Sequence, residues 1–157
     1  MSHFIREIRP DEYPVLEEFL YQAIFVPKGV DAPPRTILRH PQVAMYIDRF
    51  GERPDDTCLV ALVDHQIVGA VWTRIMRDYG HVDDETPSLS MSVLTQYRGR
   101  GIGTSLLRTM LAHLKDKGYQ QVSLSVQKEN DACKLYQNAG FTVHTEHPDY
   151  YVMVRQL

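Results

Sequence analysis

Residues 96–105 read QYRGRGIGTS, with glycine at 99, 101 and 103 and arginine at 98 and 100. Glycine has no Cβ, so successive backbone N–H groups in such a turn can converge on one anion. Where the turn also opens a helix, the positive end of the helix dipole adds to that field, and a pyrophosphate is the natural guest. Arg98 and Arg100 contribute charge, and the hydroxyls of Thr104 and Ser105 can donate further hydrogen bonds. The plainer alternative is a tight connection that needs glycine only for packing. A Walker loop would end in Lys followed by Ser or Thr, and no lysine lies between Lys28 and Lys115, which argues against NTP hydrolysis. A dinucleotide fingerprint begun at Gly99 would need a third glycine where Thr104 stands, and one begun at Gly101 would need it at Leu106. Nucleotide-dependent redox chemistry is therefore disfavoured.

The elements around this loop follow from periodicity. Phe4, Ile5 and Ile8 make a short apolar start, Pro10 and Asp11 mark a helix entrance, and Val15, Leu16, Phe19, Leu20, Ala23 and Ile24 recur at helical spacing. Residues 27–41 hold four prolines and one glycine, which predicts a loop with a short helix at 36–40, and 42–50 reads as another short helix. Residues 57–63 and 67–75 form a hairpin about the turn 64–66, and 88–94 alternates apolar residues with serines as a half-buried strand does. A helical stripe follows from Ile102 to Leu114, closed by Gly118. Residues 122–126 are a second alternating strand, Asn130 is a candidate N-cap for a helix to residue 138, and strands at 141–146 and 150–155 flank a turn at 147–149. The expected fold is α/β, with a mixed, mostly antiparallel sheet of about seven strands flanked by helices.

Arg98-Gly99-Arg100-Gly101-Ile102-Gly103 resembles the Arg/Gln-x-x-Gly-x-Gly/Ala segment of the GNAT superfamily of N-acetyltransferases. Leu124-Ser125-Val126, Asn130, Ala132, Leu135-Tyr136 and Gly140-Phe141 resemble the strand, asparagine, Leu-Tyr helix and Gly-Phe that follow in that family. The resemblance covers residues 57–157 well and the first 55 only through the order of strand and helix. It implies a GNAT-like sheet splayed between its fourth and fifth strands. Acetyl-CoA would be the co-substrate, its pyrophosphate on Arg98, Gly99, Arg100, Gly101, Gly103 and Thr104, and its pantetheine arm against backbone groups of Met91 and Val93. Asn130 would contact the coenzyme, and Tyr136 would reach it as general acid to the departing thiolate. A phenol of pKa ~10 is protonated at neutral pH, whereas a thiol near ~8.5 leaves as an anion, so a positioned tyrosine can donate to it. No covalent enzyme intermediate is required.

Attack on a thioester needs a neutral amine, and a free alkylamine is mostly ammonium, so some group must take a proton. Asp83, Asp84 and Glu85 precede the strand at 88–94, and Glu85, nearest to it, is the expected base, with Asp84 and Glu85 attracting the acceptor amine. His81 is a second candidate, and a merely solvated acidic loop is the ordinary alternative. Phe25 and Tyr46 belong to the opening third, which should shape the acceptor pocket. The acceptor is a small-molecule amine or a peptide. A non-catalytic acyl-CoA-binding or sensing module is the alternative from another class, because fold and ligand site do not guarantee chemistry.

Composition sets the remaining bounds. The 157 residues, 43% hydrophobic and 24% charged, suit one globular domain spanning 1–157. A net charge of −3 with scattered Lys and Arg argues against nucleic acid as a main partner. No apolar run reaches bilayer-spanning length and the first residues lack the apolar stretch of a signal peptide, so the expectation is a cytoplasmic protein without a membrane partner. Cys58 and Cys133 fit no zinc or CxxC spacing and the seven histidines are dispersed, so no metal or disulfide is expected. The apolar strand at 150–154, if exposed, offers an edge for a homodimer.

Overall fold

The computed structural model describes residues 2–157. A seven-stranded sheet runs in the order β1 (Phe4–Glu7), β2 (Thr57–Val63), β3 (Gln66–Arg74), β4 (Ser88–Val93), β5 (Gln121–Gln127), β7 (Tyr150–Gln156) and β6 (Thr142–Glu146). All neighbours are antiparallel except β4 and β5, which are parallel. Asp64 and His65 both adopt positive φ, the conformation a two-residue hairpin turn requires, and they set the β2–β3 register.

Strand alternation sorts the core into two layers. Leu59, Ala61, Val63 and Val71 face α3 (Ile102–Asp116), whose Leu106, Leu107, Met110 and Leu114 are fully buried, and α4 (Ala132–Asn138) covers the same side with Leu135 and Tyr136. Cys58, Val60, Ala70 and Trp72 point the other way, against Leu16, Phe19 and Leu20 of α1 (Leu16–Ala23) and against Phe50. A 3-10 turn at Pro10–Val15 leads into α1. No described helix is long and apolar enough to cross a membrane.

The short helix expected at 36–40 is present as a 3-10 helix at Arg35–Arg39. Two expectations are corrected. The helix placed at 42–50 is a single α-helical turn, α2 (Pro41–Ala44), followed by irregular turns. Its continuation is broken because carbonyls that a longer helix would bond internally are taken from the sheet side. Trp72 Nε1 donates to Tyr46 O at 3.2 Å, and Arg74 Nη1 donates to Met45 O at 3.0 Å and Asp48 O at 2.7 Å. The strand expected to offer a dimer edge, β7, lies inside the sheet with β5 on one side and β6 on the other. The exposed edge there is β6, because the terminal hairpin turns outward.

Candidate active site

β4 and β5 share one register pair, Ser88 with Ser123, where Ser123 N–H donates to Pro87 O at 3.0 Å. Beyond it the strands diverge, so facing backbone groups have no ladder partner and must be met from elsewhere. The divergence opens a cleft of about 1000 Å³ that passes through the sheet, from the α3–α4 face to the face covered by α1 and residues 42–46.

On the α3 side the cleft is lined by Arg98, Gly99, Gly101, Gly103 and Thr104. Gly99 (φ +78°) and Gly101 (φ +81°) occupy the left-handed region, and at both the space that a Cβ would take is open. Gly101 is the N-cap of α3. The first amides of the helix, at 102–104, therefore have no intrahelical acceptor and lie beside the cleft. Arg98 Nε donates to Val93 O at 2.9 Å, which ties the loop to the end of β4. Arg100 stacks over the Tyr97 ring at 5.3 Å and does not line the cleft, so the structure separates it from the other predicted loop residues.

Met91, Val93, Asn130 and Tyr136 all line the same cleft. The N-cap of α4 is Asp131 and not the expected Asn130, which stands one residue earlier, accepts the N–H of Ala132 on Oδ1 at 2.9 Å and lines the cleft. Tyr136 packs edge-on against Phe141 with ring centroids 5.7 Å apart. Its side chain is 8% exposed, and burial, with Cys133 nearby, pushes its hydroxyl up to about 12. The phenol is thus protonated throughout the neutral range.

Phe25 and Tyr46 line the cleft from the α1 side. Asp84 and Glu85 do not. Asp84 is 71% exposed and pairs with His81 Nε2 at 3.3 Å, while Glu85 borders a separate hollow of about 310 Å³ with Asp83, Tyr119 and Gln121. The acidic run enters β4 at the end where β4 and β5 are still joined, and it faces away from the divergence. His81 Nδ1 lies 2.9 Å from Met76 O.

The carboxylate that does line the cleft on the α1 side is Asp78, with Tyr79 beside it. Ser88 Oγ donates to Asp78 Oδ2 at 2.7 Å, whereas Oδ1 is buried without a hydrogen-bond partner among the described residues. Desolvation raises the carboxyl above the usual range, partly offset by Ser88, Gly80 N–H and Tyr46. The loop is pressed onto β5 at Gly80, where a Cβ would stand 3.0 Å from Leu124 C and Ser125 N. That glycine was the one signal in the sequence that Asp78 belongs beside the cleft.

The sequence matches the acetyltransferase (GNAT) family over residues 5–141. It is 35% identical over 89 residues to a probable N-acetyltransferase camello of Xenopus laevis, covering 55% of this chain and 39% of that one. It is 31% identical over 114 residues to an N-alpha-acetyltransferase of Saccharolobus solfataricus, covering 62% of this chain and 68% of that one. The chain spans less than half the length of the first of these relatives. In fold it is similar to the paia N-acetyltransferase of Thermoplasma acidophilum in complex with coenzyme A, with a TM-score of 0.74 at 19% identity over 100% of both chains. The family match extends from β1 to the start of the final hairpin and takes in the glycine loop, the strand divergence and Tyr136: the chain belongs to the GNAT family of acetyltransferases.

Proposed function

We propose that this protein transfers an acetyl group from acetyl-CoA to a primary amine by direct attack within a ternary complex, as one domain working in the cytoplasm. The observation that carries this is the cleft itself, which joins a glycine-lined helix N-terminus to a buried, protonated tyrosine across a splayed sheet. Acetyl-CoA supplies the activated acyl carbon. Gly99, Gly101, Gly103 and Thr104, with the first amides of α3, hold its diphosphate, and Arg98 adds charge. Backbone groups of Met91 and Val93 along the open edge of β4 meet the amides of its arm. As the amine nitrogen bonds to the acyl carbon and the carbon–sulfur bond breaks, Tyr136 Oη gives its proton to sulfur. The proton released by the amine leaves to solvent and the phenol is reprotonated from there, so amide and thiol are the products.

The test begins with calorimetry of acetyl-CoA binding, with NADH and ATP as controls, followed by thiol release in the presence of a panel of primary amines. Tyr136→Phe should keep its acetyl-CoA affinity and lose turnover by about 10²–10⁴-fold. Unchanged turnover removes the tyrosine from the mechanism. Acetyl-CoA binding with only slow hydrolysis, whatever amine is offered, identifies a binding or sensing module instead.

A further inference from the structure

The α1 side of the cleft has an unequal distribution of charge. Arg98 is the one basic side chain among the described lining residues, and it lies at the opposite, glycine-loop end, bonded to Val93 O. The acids that line the cleft are Asp78, Glu129 and Asp131. Glu129 and Asp131 are exposed, on the approach to α4, and water screens them. Asp78 differs: it is half-buried, and although Ser88 donates to it and Gly80 N–H and the Tyr46 hydroxyl lie beside it, its Oδ1 has no hydrogen-bond partner among the described residues. A carboxylate oxygen removed from water and left without a donor costs free energy that an incoming N–H donor would recover. The cleft is also lined by Ile24, Phe25, Val26, Val43 and Tyr79, and by Tyr46, whose hydroxyl lies beside Asp78. Aromatic faces tolerate and attract an ammonium, whereas they offer nothing to a second carboxylate.

We propose that Asp78 receives the protonated amine of the acceptor, and that the acceptor carries this amine on an apolar or aromatic body with no carboxylate beside it. The assignment rests on the acetyl-transfer function proposed above. It narrows the acceptor class by chemistry. A free amino acid would bring its carboxylate next to Asp78 with no cation to meet it. A neutral molecule of the same shape would leave Asp78 Oδ1 as it stands. Ser88, the first residue of β4, positions the carboxylate through its hydroxyl, and Tyr46 is held in place by Trp72 and by the bonds of Arg74 to the flanking carbonyls.

The test compares tyramine, tyrosine and tyrosol, which share one ring and differ in bearing an ammonium, an ammonium with a carboxylate, or a hydroxyl. Each is titrated by calorimetry into the protein saturated with coenzyme A, using wild type, Asp78→Asn and Ser88→Ala. Tyramine should bind wild type at least about tenfold more tightly than either analogue, the scale of one charge-assisted hydrogen bond. Asp78→Asn should lose that preference while keeping its weak affinity for tyrosol, its melting temperature and its affinity for acetyl-CoA. Ser88→Ala should retain the preference for tyramine. The proposal is overturned if tyramine fails to bind wild type at millimolar concentration, if tyrosol binds equally well, or if Asp78→Asn discriminates as wild type does. Because the readout is binding, it is separate from the fate of the transfer reaction. Tyramine binding that depends on Asp78 would leave this site intact even where no amine of the panel releases thiol, the outcome that refutes the proposed activity.

Discussion

Replacing Arg74 by methionine should destabilise the protein severely while sparing the coenzyme end of the cleft. Arg74 and Asp56 form an ion pair with both side chains at 0% exposure, bidentate at 2.9 and 2.8 Å. The guanidinium also serves Met45 O and Asp48 O and lies 5.2 Å from the centre of the Phe50 ring. Methionine fills much of the volume and removes every donor. The Asp56 carboxylate then keeps only the N–H groups of Gly51 and Arg53, and breaking one side of a buried pair costs about 3–5 kcal/mol. Two carbonyls lose their donor as well, which pushes the loss toward the upper end of that range. At about 2–4 °C per kcal/mol for a chain of this size, a 4 kcal/mol loss lowers the melting temperature by about 8–16 °C. The double variant Arg74→Met with Asp56→Asn removes the stranded charge and should recover part of the loss. Thermal unfolding followed by circular dichroism measures both. Because Arg74 holds the segment that carries Tyr46, the single variant should also weaken amine binding while acetyl-CoA affinity, set at the far end, stays within about threefold. A melting temperature within about 3 °C of wild type, or a double variant no more stable than the single one, would refute the assignment of Arg74 as the positioning residue of the acceptor wall.

Gly101→Ala forces a side chain into the left-handed region, at about 1–2 kcal/mol, or about 2–8 °C in melting temperature. Its Cβ would project into the space beside the helix amides, so acetyl-CoA affinity should fall further than the stability loss explains, as calorimetry would show. The hydrogen bond and charge of Arg6 hold the Glu12 carboxyl down at about 2, below its ordinary 4.5. Its contribution to stability is therefore complete above about pH 5 and is lost as pH falls from there toward 2, and Glu12→Gln should flatten that limb of a melting-temperature profile. Burial raises the Cys58 thiol far above its usual range, whereas Cys133 is only partly buried. A thiol reagent should therefore titrate one cysteine in the native protein and the second only on unfolding.

Much of the glycine-loop end of the cleft was legible in the sequence as structure because it is built locally. Glycines 99 and 101, the helix they open, and the Asn130 turn are decided within a few residues, and the strands announce themselves by alternation. The acceptor end depends on contacts made across long stretches of chain. Glu85 is close to β4 in sequence, yet a strand has two ends, and only the splay decides which of them borders the cleft. Asp78 precedes β4 by ten residues and reaches the cleft because its loop folds back against Ser88 and β5. The 42–50 segment has helical spacing, but Trp72 and Arg74 claim its carbonyls, an outcome that no local pattern records.

The single register pair between β4 and β5 has a mechanical consequence. β1 to β4 with α3 form one leaf, β5 to β7 with α4 form another, and the shared ladder between them is one bridge long. A molecule lying along the opening would bond to both edges and act as a rivet, so saturating coenzyme should raise the melting temperature by more than one local contact would. The amide hydrogens of the facing β4 and β5 edges should be the first in the sheet to exchange with solvent and the ones most slowed by the coenzyme. A bound molecule of that kind would take the place of a missing strand, and the sheet would be finished only while it stayed.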